Sequence, residues 1–131
     1  MRYLLDTSVF LWSLGAKGRL NAAATELLAS NETQIFLSPV SSWEIAIKYA
    51  LGKIVLPSSP VEFVPGGMRD LGIATLDVTH LQALAAGQLP LLHRDPFDRM
   101  LIAQARAEAM VLLTGDHIFQ AYDVDALFCG N

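Results

Sequence analysis

Apolar positions along this chain alternate between two spacings. Short unbroken apolar runs at Tyr3 to Leu5, Ile35 to Leu37, Ile73 to Leu76 and Val111 to Leu113 have the length and β-branched or Leu-rich character of buried strands, and Leu127 and Phe128 suggest a last short one. Helical spacing fills most of the intervals. Asn21 stands as a cap ahead of Ala22 to Ala29, Ser41 ahead of Ser42 to Leu51 with Gly52 as a stop, and Asp95-Pro96 opens Phe97 to Ala107. Ser59-Pro60 opens a further helix, which Pro65-Gly66-Gly67 is expected to divide into two pieces before Leu71. No repeat or low-complexity linker interrupts the alternation. It predicts one domain over residues 1–131: a three-layer α/β/α sandwich with a mainly parallel sheet and right-handed crossovers.

Composition adds a partner and removes a membrane. Apolar residues are 53% of the 131 and the mean hydropathy is +0.39, more than one core of this size requires, so part of the surplus is expected to face a second subunit. No apolar run reaches the roughly eighteen residues of a membrane span. Arg2 followed by Tyr3 to Leu14 has the outline of a short signal peptide, but Asp6 places a charge in its middle, and a buried strand is the better account. The lone Cys129 has no intramolecular partner, which fits a reducing cytoplasm. A net charge of −4 opposes nucleic-acid binding by general attraction. Carboxylates gathered in one pocket and neutralised by divalent cations would reverse that objection locally.

The acids are placed for such gathering. In an open parallel sheet the site lies outside the carboxyl ends of the strands, where loops and helix N-termini converge. Asp6 ends the first strand, and Asp116 follows Val111 to Leu113 after Thr114-Gly115. Glu44 and Asp98 are expected in the first turns of helices, so four acids would meet in one pocket. Hard cations such as Mg2+ and Mn2+ take oxygen ligands, activate water and stabilise charge on a phosphodiester. Other chemistries lack their signatures: there is no GxxxxGK[ST] loop, no HExxH or Cys/His zinc spacing around His80, His93 and His117, and no nucleophile motif around the serines or Cys129.

Each acid also has a plainer role open to it. Asp6 suits a strand-to-helix turn. Ser41-x-x-Glu44 fits a capping box, and Lys48 one turn later is placed to pair with Glu44. Asp98 favours the positive end of a helix dipole, Asp95 reads first as an N-cap and second as a ligand, and Asp116 suits the cap of a helix near His117. Trp12 and Trp43 read as core or interface aromatics before base-stacking platforms, and His93 and His117 as solvent-facing loop residues. Arg94 and Arg99 flank the acid-bearing helix start and are candidates for contact with RNA phosphates, with solvated or ion-paired roles as the alternative.

Four segments carry a family resemblance. Leu4-Leu5-Asp6-Thr7-Ser8-Val9, Ser42-Trp43-Glu44-Ile45, Asp98-Arg99-Met100-Leu101-Ile102-Ala103-Gln104-Ala105 and Leu112-Leu113-Thr114-Gly115-Asp116 resemble, in order and spacing, the four motifs of PIN-domain ribonucleases. The stretches WEIAIKYALGKI and HRDPFDRMLIAQA are similar to those of bacterial VapC-type toxins. The resemblance implies a Mg2+- or Mn2+-dependent endoribonuclease in which Asp6, Glu44, Asp98 and Asp116 form the site. Asp6 and Asp98 would be foremost among the metal ligands, with Asp116 beside them, while Thr7 and Thr114 would orient water or phosphate. It further implies an RNA substrate, a homodimer and a cognate antitoxin whose C-terminal segment covers the groove. Gly115 departs from the family, which often has a basic or polar residue there. The competing accounts are a non-catalytic PIN-like module that binds a protein, and a phosphotransfer domain, which the missing second Asp after Asp6-Thr7-Ser8 disfavours.

Overall fold

The computed structural model describes all residues from Met1 to Asn131. Five strands form one wholly parallel sheet: β1 (Arg2–Leu5), β2 (Gln34–Leu37), β3 (Ala74–Thr75), β4 (Val111–Thr114) and β5 (Ala126–Phe128), in the spatial order β3-β2-β1-β4-β5. The helices are α1 (Thr7–Gly15), α2 (Ala22–Ala29), α3 (Pro39–Ala50), α4 (Pro60–Leu71), α5 (His80–Gln88) and α6 (Pro96–Glu108), with 3-10 turns at Lys17–Arg19 and His117–Ala121.

Alternation along the strands builds the two faces. Leu5, Ile35, Leu37 and Leu113 join one cluster with Val9 and Phe10 of α1, Ala24 of α2, Ile45 of α3 and Val64 of α4. Their neighbours Leu4 and Leu112 point the other way, into a cluster with Leu101, Ile102 and Ala105 of α6 and with Phe119. Helices therefore cover both faces of the sheet, giving the expected three-layer α/β sandwich, and the strand at Tyr3 to Leu5 lies at its centre. No helix is long and apolar enough to cross a membrane.

Three elements differ from the sequence expectation. Residues 60–71 form one helix despite Pro65. Its apparent break, Gly67, is where α4 meets α1, and an added Cβ would stand 2.4 Å from Leu14 Cδ1. Close helix packing stabilises what local propensity would interrupt. The third strand is shorter than Ile73 to Leu76 and exposed, because it forms the sheet edge. Helix α3 begins at Pro39 with Ser38 as its cap, whose hydroxyl accepts from the Val40 N–H at 3.1 Å. Ser41 is thus inside the helix, and Glu44 lies in its second turn.

Part of the apolar surplus remains at the surface. Leu81 and Leu84 on α5 and Leu91 in the following loop are largely exposed, as are Leu51, Val55 and Val61 on the opposite layer.

Candidate active site

The strand order reverses direction between β1 and β4, the crevice position at which open parallel sheets hold ligands. Asp6 stands there. Its backbone N–H donates to Leu113 O of β4 at 2.8 Å, which continues the ladder one residue past β1 and fixes the Cα at the sheet edge. The side chain is 4% exposed and fully engaged: Oδ1 accepts from the Val9 N–H at 2.8 Å as the N-cap of α1, and Oδ2 accepts from Thr114 Oγ1 at 2.7 Å and the Gly115 N–H at 3.0 Å. The turn role and a place in the site therefore coincide in one residue. Burial pushes the Asp6 carboxyl above its ordinary value and nearby Glu44 adds to the rise, while the bonds from Thr114, Val9 and Gly115 oppose it.

Asp6, Glu44, Asp95, Asp98 and Asp116 line one cleft of about 190 Å3, together with Thr7, Ser8, Lys48 and Phe119. The sequence-predicted acids are thus brought together, by different devices. Asp95 caps α6, its Oδ1 accepting from the Phe97 and Asp98 N–H groups at 2.9 and 3.2 Å. Asp116 caps the last 3-10 turn through an Oδ1 bond from the Ile118 N–H at 3.0 Å, and its own N–H donates to Thr114 Oγ1 at 2.9 Å. Asp98 caps nothing. It stands in the first turn of α6, where burial, then Asp95, Asp6, Glu44 and Asp116 in turn, push its carboxyl up to about 8.

Glu44 is buried, but the expected capping box with Ser41 does not exist, because the helix starts three residues earlier. Instead Oε1 accepts from Thr7 Oγ1 at 2.6 Å and Oε2 from Lys48 Nζ at 2.6 Å. The bond to Glu44 chiefly raises the Lys48 pKa, and Asp95 and Asp98 across the cleft add to it. Lys48 is the one cationic side chain among the lining residues.

Several flanking residues fall elsewhere than expected. Arg99 does not face the cleft: it is 8% exposed and its guanidinium donates to Ala86, Leu89 and Pro90 carbonyls at 2.9–3.0 Å, closing the C-terminal end of α5. Arg94 is exposed but does not line the cleft. Of the core and interface roles open to Trp43, the core is excluded: it is 63% exposed and meets Phe97 edge to face at 5.4 Å. His93 is not a free loop residue either. Its Nε2 lies 3.0 Å from Asp98 Oδ2, its backbone N–H donates to the Tyr122 hydroxyl, and its ring packs against Phe119 and Tyr122. Nothing in the spacing from His93 to Asp98 signals that contact, which depends on how the loop folds back. His117 stacks on Phe128 at 3.7 Å.

The donor set has the chemistry of a hard-cation site. All five acids offer oxygen, and Asp98 Oδ1 and the Oδ2 atoms of Asp95 and Asp116 take no protein hydrogen bond, so they remain available. No three side chains are drawn together tightly enough to cage an ion by themselves. A cation held here would keep several of its own waters and be gripped by only one or two carboxylates. The repulsion that adds to burial in raising Asp98 is also what a divalent cation would relieve.

The sequence profile of the PIN domain matches residues 3–125. A segment of 46 residues is 48% identical to ribonuclease VapC16 of Mycobacterium tuberculosis, a match that spans 35% of this chain and only about a third (33%) of that relative. Among solved structures, VapBC2 from Rickettsia felis bound to a promoter DNA fragment superposes with a TM-score of 0.70 at 19% identity over 98% of this chain and 99% of that one. DNA-bound VapBC from Salmonella typhimurium gives 0.71 at 19% identity, over 98% of each chain. These neighbours share the fold, and the profile match over nearly the whole length shows that this chain belongs to the PIN-domain family.

Proposed function

We propose that the chain is a metal-dependent endoribonuclease, the cytoplasmic toxin of a toxin–antitoxin pair. The observation that carries this is the convergence of five acids from four separate segments on one cleft at the sheet's reversal point. The 48% identity to part of a ribonuclease and the fold shared with VapBC proteins support the substrate class and an antitoxin partner. Exposed Leu81, Leu84 and Leu91 fit burial against another chain, either a second copy or that partner.

Asp98 and Asp116, with Asp6 behind them, would hold Mg2+ or Mn2+, with Asp95 as a further candidate ligand. When bound, such an ion supplies an activated water and neutralises charge developing on the phosphate. The remaining work falls to the protein. Thr114 holds Asp6 in one rotamer while ordering the Asp116 backbone, and Thr7 does the same for Glu44. Phe119, buried and packed against His93, is the one apolar residue lining the cleft.

The test is cleavage of a mixed RNA pool by purified, partner-free protein with Mg2+ or Mn2+ against EDTA, with Asp6→Asn and Asp98→Asn as controls. Metal-dependent cutting lost in both variants is expected. Absence of cutting together with absence of metal binding would leave a non-catalytic binding module.

A further inference from the structure

The feature that the metal-site account does not use is the pairing of Glu44 with Lys48. A cleft lined by five acids repels a phosphodiester, and cation ligands alone leave the flanking phosphates unmatched. The arginines expected to meet them do not: Arg99 has its donors on three carbonyls and Arg94 lies off the cleft. Lys48 remains. Its side chain is 41% exposed, so solvent and ligand both reach it, and its ammonium carries three donors of which one is spent on Glu44. Glu44 is the opposite case. Its side chain is 5% exposed and each oxygen is gripped at 2.6 Å by a protein donor, Thr7 on one side and Lys48 on the other. To coordinate a cation it would have to share an oxygen that already accepts a short bond in a buried place, whereas Asp95, Asp98 and Asp116 each keep an oxygen that no protein group occupies.

We infer that Lys48 contacts the RNA phosphate backbone in the cleft and that Glu44 is its positioning residue, fixing the ammonium on the cleft wall instead of binding metal. This rests on the nuclease reading of the same site. Thr7 belongs to the device: by holding Oε1 it turns Oε2 toward Lys48. A lysine on a flexible stem, placed without such an anchor among so many acids, would fold onto whichever carboxylate was nearest and block the cation instead.

Two readouts test the inference independently of turnover: Mn2+ affinity by calorimetry, and binding of a short single-stranded RNA with Ca2+ as the cation over a series of salt concentrations. Lys48→Met is expected to weaken RNA binding roughly tenfold and to lower the slope of log K against log salt by about 0.7, the value of one lost phosphate contact on a single strand. Glu44→Gln should do the same, the double variant should do no more, and Lys48→Arg should restore most of the binding. Mn2+ affinity should stay near the parent's in all of these while falling at least roughly tenfold in Asp98→Asn. An unchanged salt slope in both Lys48→Met and Lys48→Gln overturns the phosphate contact. Loss of Mn2+ affinity in Glu44→Gln comparable to that in Asp98→Asn makes Glu44 a ligand and overturns the anchor. A parent that binds Mn2+ but no RNA overturns both the nuclease reading and the role of Lys48, a result distinct from either.

Discussion

Thr114 donates its hydroxyl to Asp6 Oδ2 across 2.7 Å, joining the ends of two adjacent strands that lie 108 residues apart in the chain. Thr114 Oγ1 in turn accepts from the Asp116 N–H at 2.9 Å, so one hydroxyl ties two acids of the cleft to a common point.

Thr114→Val keeps the shape of the side chain and removes that hydroxyl. It leaves Asp6 short of a donor and the Asp116 N–H without its acceptor, and we expect a loss of about 1–3 kcal/mol in urea unfolding. Thr114→Ser should recover most of it. Equal stability of the Val variant and the parent would mean the bond contributes nothing net.

Stability without metal should depend on pH in a direction set by Asp98. Its folded-state carboxyl sits at about 8, above the ordinary 3.8, so the folded protein binds a proton more tightly than the unfolded chain. The stabilising contribution is complete below about pH 4 and is lost as pH rises through about 8. Asp6, also raised, acts in the same sense. The metal-free midpoint of thermal unfolding should therefore fall between those limits. Asp98→Asn should flatten the fall and add on the order of 1–3 kcal/mol at the alkaline end, and saturating Mn2+ should flatten it too. A parent curve that is level from pH 4 to 8 would contradict the assigned shift.

Gly115→Ala brings a Cβ to 2.4 Å from Trp12 Cη2 and 2.8 Å from Cζ3, atoms of a rigid ring that cannot swing aside as an aliphatic tip can. The backbone would have to move, drawing the Gly115 N–H away from Asp6. A cost of about 1–3 kcal/mol is expected, together with weaker cation binding. Gly67→Ala should cost less, since its nearest neighbour is the end of the Leu14 side chain. Urea titrations of the two variants check the order.

Arg99→Met should destabilise the protein by about 2–4 kcal/mol, because three carbonyls at the end of α5 lose their donors in a buried place. Arg94→Ala, at an exposed position, should change stability by less than about 0.5 kcal/mol. Similar small effects for both would restore Arg99 as a surface residue.

Much of this arrangement was readable from residue order. Asp95-Pro96 marks the start of α6 because a cap followed by a ring with fixed φ admits few other structures, and Asn21 marks α2 by the same logic. Ser38-Pro39 carries an equivalent signature, and a helix begun there leaves Ser41-x-x-Glu44, which fits a capping box locally, inside a helix already under way. Helix α4 runs unbroken through Gly67 for a different reason. The small size of this glycine answers to Leu14, a residue in another helix, and no local pattern encodes that. Arg99 and His93 escape local patterns for a related reason: Arg99 reaches from α6 to carbonyls at the start of the loop between α5 and α6, and His93 lies in that loop and packs against Tyr122 and Phe119.

Three of the clustered acids, Asp6, Asp95 and Asp116, also cap the first turns of helices. Selection for a stable fold would retain them in a descendant that had lost all chemistry, so their presence is poor evidence that such a descendant is alive as a catalyst. Asp98 caps no helix, and its burial, with the crowding of other carboxyls added, makes its charge a cost to the folded chain whenever no cation is bound. It should be the first of the acids to drift once activity is no longer required, which makes position 98 the place to look when sorting working copies of this architecture from retired ones.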